Sequence, residues 1–316
     1  MARYLLGRFL QSIMLLLIVS MVVFVIIHKA PGMPAVLVDP DSSSGAQIEQ
    51  ARANLGLDDP IAVQYLRWLR NAVQGNFGYS YQLKTPVLDL VLERLPASLL
   101  LSGSALLLAT LIALPVGIWC AVRPKGIVDT LSTLGSFVGV SIPVFWFGLL
   151  AMMLFSVRWG LLPTGGMKTL NTPFSLSDRI EHLILPAVVL SLVPMAQLLR
   201  YTRSSMRSVM RQDYLRTARS KGLSEQSVLA RHALRNALIP VVTVFGLLLP
   251  ATVSGAPVTE AIFSWPGMGR LAVDAAFQRD YPVIMGVTLV VSTMVIVTNL
   301  LVDIAYAILD PRIELH

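Results

Sequence analysis

The chain has 316 residues, of which 55% are hydrophobic and 14% charged, with a net charge of +7. An average soluble domain is about 45–50% apolar and about 25% charged, so the surplus apolar surface must face something other than water. One cysteine and four scattered histidines exclude a disulfide scaffold and argue against a Cys/His metal site.

Six stretches free of Asp, Glu, Lys, Arg and His follow one another at 9–27, 97–121, 131–157, 183–199, 237–259 and 283–302. Their lengths, roughly 17 to 27 residues, bracket the ~20 helical residues that cross a bilayer core. Backbone groups cannot go unpaired in lipid, and runs this long exclude barrel strands, so the sequence predicts an all-α integral membrane protein with six transmembrane helices. Arg3 and Arg8 precede the first run, but it is long for a signal peptide, whose apolar region spans about 7–15 residues. It is read as a retained anchor.

After it comes an outer segment reaching Pro96. Asp39 to Gly45 reads as an exposed loop, and Asp59-Pro60 as the cap and first residue of a short helix stopped by Gly75. Ile61, Tyr65, Trp68, Leu69 and Val73 give that helix one apolar face. Thr85-Pro86 starts a second short helix, with Val87, Leu88, Val91, Leu92 and Leu95 on one side. Both are expected to lie over the outer mouth as interfacial helices. The chain thus divides at 1–96 and 97–316.

Arg123-Pro124-Lys125-Gly126 reads as a tight turn. The third run carries Ser141 and Pro143, and the fifth carries Pro250 and Ser254. Small residues permit close helix approach and Pro breaks helices where backbone lines a cavity, so these four are candidates for a translocation path, with packing as the alternative.

The connection at 201–236, with Arg200 at its edge, is the most informative stretch. Nine basic residues between Arg200 and Arg235 face only Asp213 and Glu225. By the positive-inside rule this connection is cytoplasmic, and with it both termini. The basic excess is assigned to orientation and to anionic headgroups, not to nucleic acid. Met206, Met210, Tyr214, Thr217 and Ala218 form a semi-apolar stripe at helical spacing. Gly222 ends that helix, and Ser224 caps a second that runs on into the fifth span. A helix–Gly–helix elbow of this kind is shaped to be held by a partner.

At this elbow the residues become familiar. The run Asp213-Tyr214-Leu215-Arg216-Thr217-Ala218-Arg219-Ser220-Lys221-Gly222-Leu223-Ser224, then Arg231 to Pro240, resembles the EAA loop of ABC importer permeases of the dipeptide/oligopeptide branch. Pro31-Gly32-Met33-Pro34, Leu55 to Trp68, Gly75 to Ser80, Glu93 to Ala97, Ser141 to Gly148, Leu161 to Gly166, Phe263 to Gly269, Arg279 to Pro282 and Leu309 to Arg312 extend the likeness over the whole chain. The long segment after span one is similar to the first, B-type permease of such systems. Two departures stand out: Arg216-Thr217-Ala218 where the general motif opens Glu-Ala-Ala, and Met33 where an Asp is usual.

The resemblance implies a type I ABC importer permease fold in a bacterial inner membrane. It implies four partners beside membrane lipid: a homologous second permease, two ATP-binding cassette ATPases and an external solute-binding protein. It also implies the coupling residues, Met210, Asp213, Tyr214, Arg216, Thr217, Ala218, Arg219, Lys221, Gly222 and Leu223, with Met210, Tyr214 and Ala218 as contacts in the ATPase groove. Substrates of the branch are dipeptides, oligopeptides, glutathione or nickel.

No catalytic residues and no metal ligands are legible, and residues 160–169 lack the adjacent Gly-Lys of a phosphate-binding loop. ATP and Mg belong to the expected ATPase partners, with no cofactor on this chain. A self-sufficient secondary carrier is the rival reading. It is disfavoured by runs without ionisable residues, since carriers place such groups inside spans. Asp303, just past the sixth run, is read as interfacial, on one helical face with Asn299, Tyr306 and Asp310.

Overall fold

In a computed structural model the described residues are 2–30 and 58–309, and they are almost wholly helical. The proposed loop at 39–45, the Pro31–Pro34 motif, Leu55 to Leu57, and Asp310 to Arg312 lie outside them, as does the side chain of Tyr306. By contact density the chain divides into two compact units, Met1–Ser98 with Val253–Ala261 and Pro266–His316, and Leu99–Thr252 with Ile262–Trp265.

In the first unit, α1 (Ala2–Lys29) packs against the last helix, α11 (Tyr281–Leu309), and against α2 (Ile61–Val73). Most of α1 remains bare: Phe9, Leu10, Met14, Met21 and Ile26 are all exposed, as expected of a helix surrounded by lipid. Its inner stripe is aromatic. Phe24 stacks on His28 with ring centres 3.9 Å apart and meets Tyr65 edge-on, while Ser20 Oγ and the Tyr65 hydroxyl lie 3.0 Å apart. The short helix α2 forms as expected, except that Pro60 holds the cap position and Asp59 instead pairs with Arg67 at 2.7 Å. Val73 is exposed, and Ala72 takes its place on the inner face. Near the far end of α1, Arg8 and Asp303 pair at 2.9 Å, both partly exposed.

The second predicted short helix is not separate. Residues from Val87 run without a break to Val122 as α3, straight through Pro96. Val87, Leu90 and Val91 are buried against Met268, Ala275, Val283 and Val287, so this stretch is anchored in a core and does not lie free on an interface. Proline is tolerated inside such helices where neighbouring groups or local adjustments re-satisfy the carbonyl it frees.

In the second unit, α4 (Ile127–Ser141) and α5 (Val144–Ala151, extended by a π-helical turn Met152–Arg158) replace the single third helix expected at 131–157. They meet at 106°. Pro143 causes the break: the residue before a proline is pushed out of the α region, and Ile142 is extended at φ −83°, ψ 129°. Among the described residues five helices are therefore long and apolar enough to cross a membrane, and this bent pair is a broken span or a re-entrant loop. The helix α6 (Leu176–Met210) packs along α4 and contains Pro186 and Pro194 without breaking. Close contact between α3 and α6 depends on Gly117, where a Cβ would sit 2.8 Å from Cβ of Thr202. Pro250, expected to break the fifth span, lies inside α8 (Leu234–Val253), which ends three residues later.

Candidate functional site

The elbow is built from local rules. The helix α6 stops at Met210, Arg211 and Gln212 turn the chain, and α7 (Asp213–Ser220) follows. Its end is a left-handed closure: Gly222 has φ +80°, its N–H donates to Arg219 O at 2.9 Å, and Leu223 N–H donates back to Ala218 O at 3.4 Å. Ser224 then accepts from Ser227 N, capping a helix that runs from Glu225 through a π-helical turn at Val228–Ala233 into α8. Arg219 Nε donates to Glu225 Oε1 at 2.7 Å across the bend.

One face of α7 is buried and the other is bare. Leu215 and Ala218 pack with Ala121, Met206, Val228, Ala233 and Ala237, and Met210 lies against the same cluster. Ala218 is buried and Met210 half-buried against the elbow's own helices, so of the three residues expected in a partner's groove Tyr214 is the exposed one. The outward face carries Asp213, Tyr214, Arg216, Thr217, Lys221 and Leu223. Tyr214 is 42% exposed, and its hydroxyl accepts a hydrogen bond from Asn236 Nδ2 at 2.9 Å. Arg219 is half-buried at the edge.

Sequence reading missed what fixes the root of the elbow. Asp129, buried near the start of α4, receives Lys125 N–H at 2.9 Å, Arg207 Nη2 at 2.9 Å and Arg203 Nη2 at 2.6 Å. It thereby ties the turn before α4 to the last turns of α6. The same carboxylate holds Lys125 in its left-handed conformation, φ 61°.

Two family models match the chain. The description "Binding-protein-dependent transport system inner membrane component" covers residues 113–315, and that family's N-terminal component covers 1–102. The chain belongs to this family. Among curated relatives, the oligopeptide transport system permease protein AppB of Bacillus subtilis is 52% identical over 99% of this chain and 100% of its own. The dipeptide transport system permease protein DppB of Escherichia coli is 40% identical over 94% of each. One solved structure, of the MetNI methionine ABC transporter in inward-facing conformations, matches with a TM-score of 0.50 at 15% identity. It covers 70% of this chain and 94% of that one, and shows the fold alone.

Within this family frame the four path candidates fall in two places. Ser141 and Pro143 are exposed at the bend between α4 and α5, and Ser141 lines a cavity of about 290 Å³. Pro250 is half-buried in α8, and Ser254 sits in the turn after it. Nearby, in the first unit, Glu260 is wholly buried, with Ser98 Oγ donating to it at 2.7 Å. Residue 260 directly follows the fifth apolar run, so a search confined to the runs passes over it.

The loop before α3 is pinned to the start of α11. Asp280, buried, accepts Ser80 Oγ at 2.5 Å and Gln82 N–H at 3.3 Å. Tyr81 lies beside it, and burial, reinforced by Asp280 and Tyr281, pushes its phenol up to about 12. A raised folded value means that the neutral phenol stabilises the fold below the ordinary value of about 10, and that this contribution is lost as pH rises through about 12. In alkaline titration, the tyrosinate absorbance removed by Tyr81→Phe is expected to appear near pH 12. Its appearance near the ordinary value would show the pocket to be open to water.

Proposed function

We propose that this chain is one of two permease subunits of an ATP-driven importer for di- and oligopeptides. An external binding protein delivers the substrate, and two ATPase subunits, which use ATP and Mg, power the cycle. The segment 1–96 and the core 97–316 both belong to the membrane part, with the elbow and both termini on the cytoplasmic side. The reading rests on whole-length likeness to AppB and DppB, whose names specify oligopeptide and dipeptide transport.

The observation that carries the mechanism is the two-faced elbow. Its inner face is locked into the ends of α3, α6 and α8, so displacement of α7 must displace those helices with it. Its outer face presents an aromatic ring, a leucine and exposed basic side chains to whatever grips it. That is the pattern of helix-in-groove recognition, in which Tyr214, Thr217 and Leu223 fill the groove and Arg216 and Lys221 meet an acidic rim. Asp213 favours the positive N-terminal end of the helix.

The test is Gly222→Pro. Proline fixes φ near −65° and removes the N–H that closes α7, so the elbow cannot keep its angle. Peptide uptake and peptide-stimulated ATP hydrolysis are expected to fall at least tenfold, while Gly222→Ala, which strains the left-handed position by about 1–2 kcal/mol, keeps part of both. Membrane content and co-purification of the second permease serve as controls. Normal coupled uptake by the proline variant would refute this role for the elbow.

A further inference from the structure

The cytoplasm-proximal end of α6 carries more positive charge than the coupling role uses. Arg200, Arg203, Ser204, Arg207, Ser208 and Arg211 follow one another at helical spacing and line one groove of about 620 Å³. At 1.5 Å per residue it extends about 16 Å along the helix. No carboxylate is among the described residues that line it; Arg203 and Arg207 are engaged by Asp129. Arg200 and Arg211 are exposed and pair with no carboxylate among the described residues. The groove is therefore a cationic trough in need of an anion.

A second cavity, mostly apolar and about 290 Å³, shares Arg200 and Arg203 with the first and lies between α4 and α6. Phe137, Val140, Ala196 and Leu199 form its apolar wall, with Thr133, Ser136, Ser141 and Gln197 beside them, and Phe137 and Val140 are 66% and 58% exposed. A trough of guanidinium groups opening into an apolar cleft has the two-part chemistry of a phosphodiester with an acyl chain. A soluble anion would satisfy the first part and leave the second bare.

We infer that this groove binds an anionic phospholipid, its phosphate held by Arg200, Ser204, Ser208 and Arg211 and one acyl chain lying in the cleft beside Phe137 and Val140. The inference uses the cytoplasmic placement proposed above, which puts the arginines at inner-leaflet headgroup depth. It does not use the coupling role. Exposed arginines at a bilayer surface attract acidic lipids, and the walls of the cleft supply the apolar part. The lipid would lie across the α4–α6 seam, whose arginines also anchor Asp129.

The experiment is native mass spectrometry of the full-length chain in mild detergent, after exchange with mixed micelles of phosphatidylglycerol and phosphatidylcholine. Retention of phosphatidylglycerol over phosphatidylcholine is expected. The double variant Arg200→Gln/Arg211→Gln leaves the Asp129 pairs in place and should retain the acidic lipid about thirtyfold less well. Val140→Trp, at an exposed position, should fill the cleft and lower lipid retention without changing inorganic phosphate binding. Equal retention of both lipids, or unchanged retention in the double variant, overturns the inference. So does displacement by inorganic phosphate together with indifference to Val140→Trp, which would leave only a small-anion site. Cross-linking of a transported peptide to position 140 would assign the cleft to substrate and equally overturn it.

Discussion

Glu260→Ala is expected to lower the melting temperature of the purified chain by roughly 10 °C, the largest effect of any single change proposed here. Glu260 has no exposed surface. One carboxyl oxygen receives Ser98 Oγ at 2.7 Å and the more distant Ala256 N–H at 3.4 Å, and the other receives Arg270 N–H at 2.9 Å. Ser98 in turn accepts Met268 N–H at 2.7 Å, so α3, the turn after α8 and the start of α10 (Met268–Gln278) share one hydrogen-bonded node. The Phe263 to Gly269 segment is glycine-rich for this reason. A Cβ on Gly267 would collide with the Glu260 carboxyl group, and one on Gly269 would lie 2.7 Å from Pro257 Cα.

Alanine removes the acceptor while the donors stay buried. Each orphaned donor costs about 1–3 kcal/mol, and the vacated volume adds to that, for a total of about 3–5 kcal/mol. Glu260→Gln keeps one acceptor oxygen and turns an amide donor toward the other side, so it should lose about half as much. Melting of the three proteins in one detergent, with uptake normalised to folded protein, decides the matter. Equal melting temperatures would mean that water reaches the site. Loss of uptake per folded molecule in Glu260→Gln would give the residue a role beyond structure.

The helices and the elbow were legible because their signals are local. Apolar run length finds a span wherever it occurs, and Gly222 followed by Ser224 marks an end and a start by backbone rules that need no neighbour. Pro143 was legible as a break but not as a 106° bend, since the angle depends on what α5 packs against: Ala151 lies in a cluster with Leu185, Val189 and Phe263. Pro96 misled in the opposite direction, reading as a boundary where packing of Val87, Leu90 and Val91 keeps one helix intact.

The polar nodes were hidden for two reasons. Asp129 and Glu260 fall just outside runs defined by the absence of charge, so they read as ordinary ends of spans. Their partners are also far away in sequence: Ser98 is 162 residues from Glu260, and Ser80 is 200 from Asp280. No spacing rule reaches that far. The orientation of α7 was hidden differently. A short amphipathic helix offers two plausible faces, and the span ends at Ala121, Met206 and Ala237 chose the one with Leu215 and Ala218.

Asp129→Ala separates stability from lipid binding, because its two effects have opposite sign. The carboxylate is 4% exposed and balances two guanidinium groups that are 24% and 33% exposed. Breaking a fully buried pair by removing one partner costs about 3–5 kcal/mol, and partial solvent access to the arginines reduces this to about 2–3 kcal/mol. Lys125 loses the acceptor that holds its backbone, so the turn before α4 should loosen as well. Melting is expected to fall by roughly 5 °C, and Asp129→Asn, which keeps an acceptor for Lys125 N–H, should fall less. Adding Arg207→Gln to Asp129→Ala should recover part of the loss, since one unpaired cation is removed with its counter-ion already gone. Yet the same Asp129→Ala change frees Arg203 and Arg207 at the wall of the arginine groove, so retention of phosphatidylglycerol should rise several-fold in the less stable protein. A general loosening of the fold would lower both. Lower melting with higher acidic-lipid retention is the result expected if Arg203 and Arg207, released from Asp129, add their charge to that of Arg200 and Arg211 in the same groove.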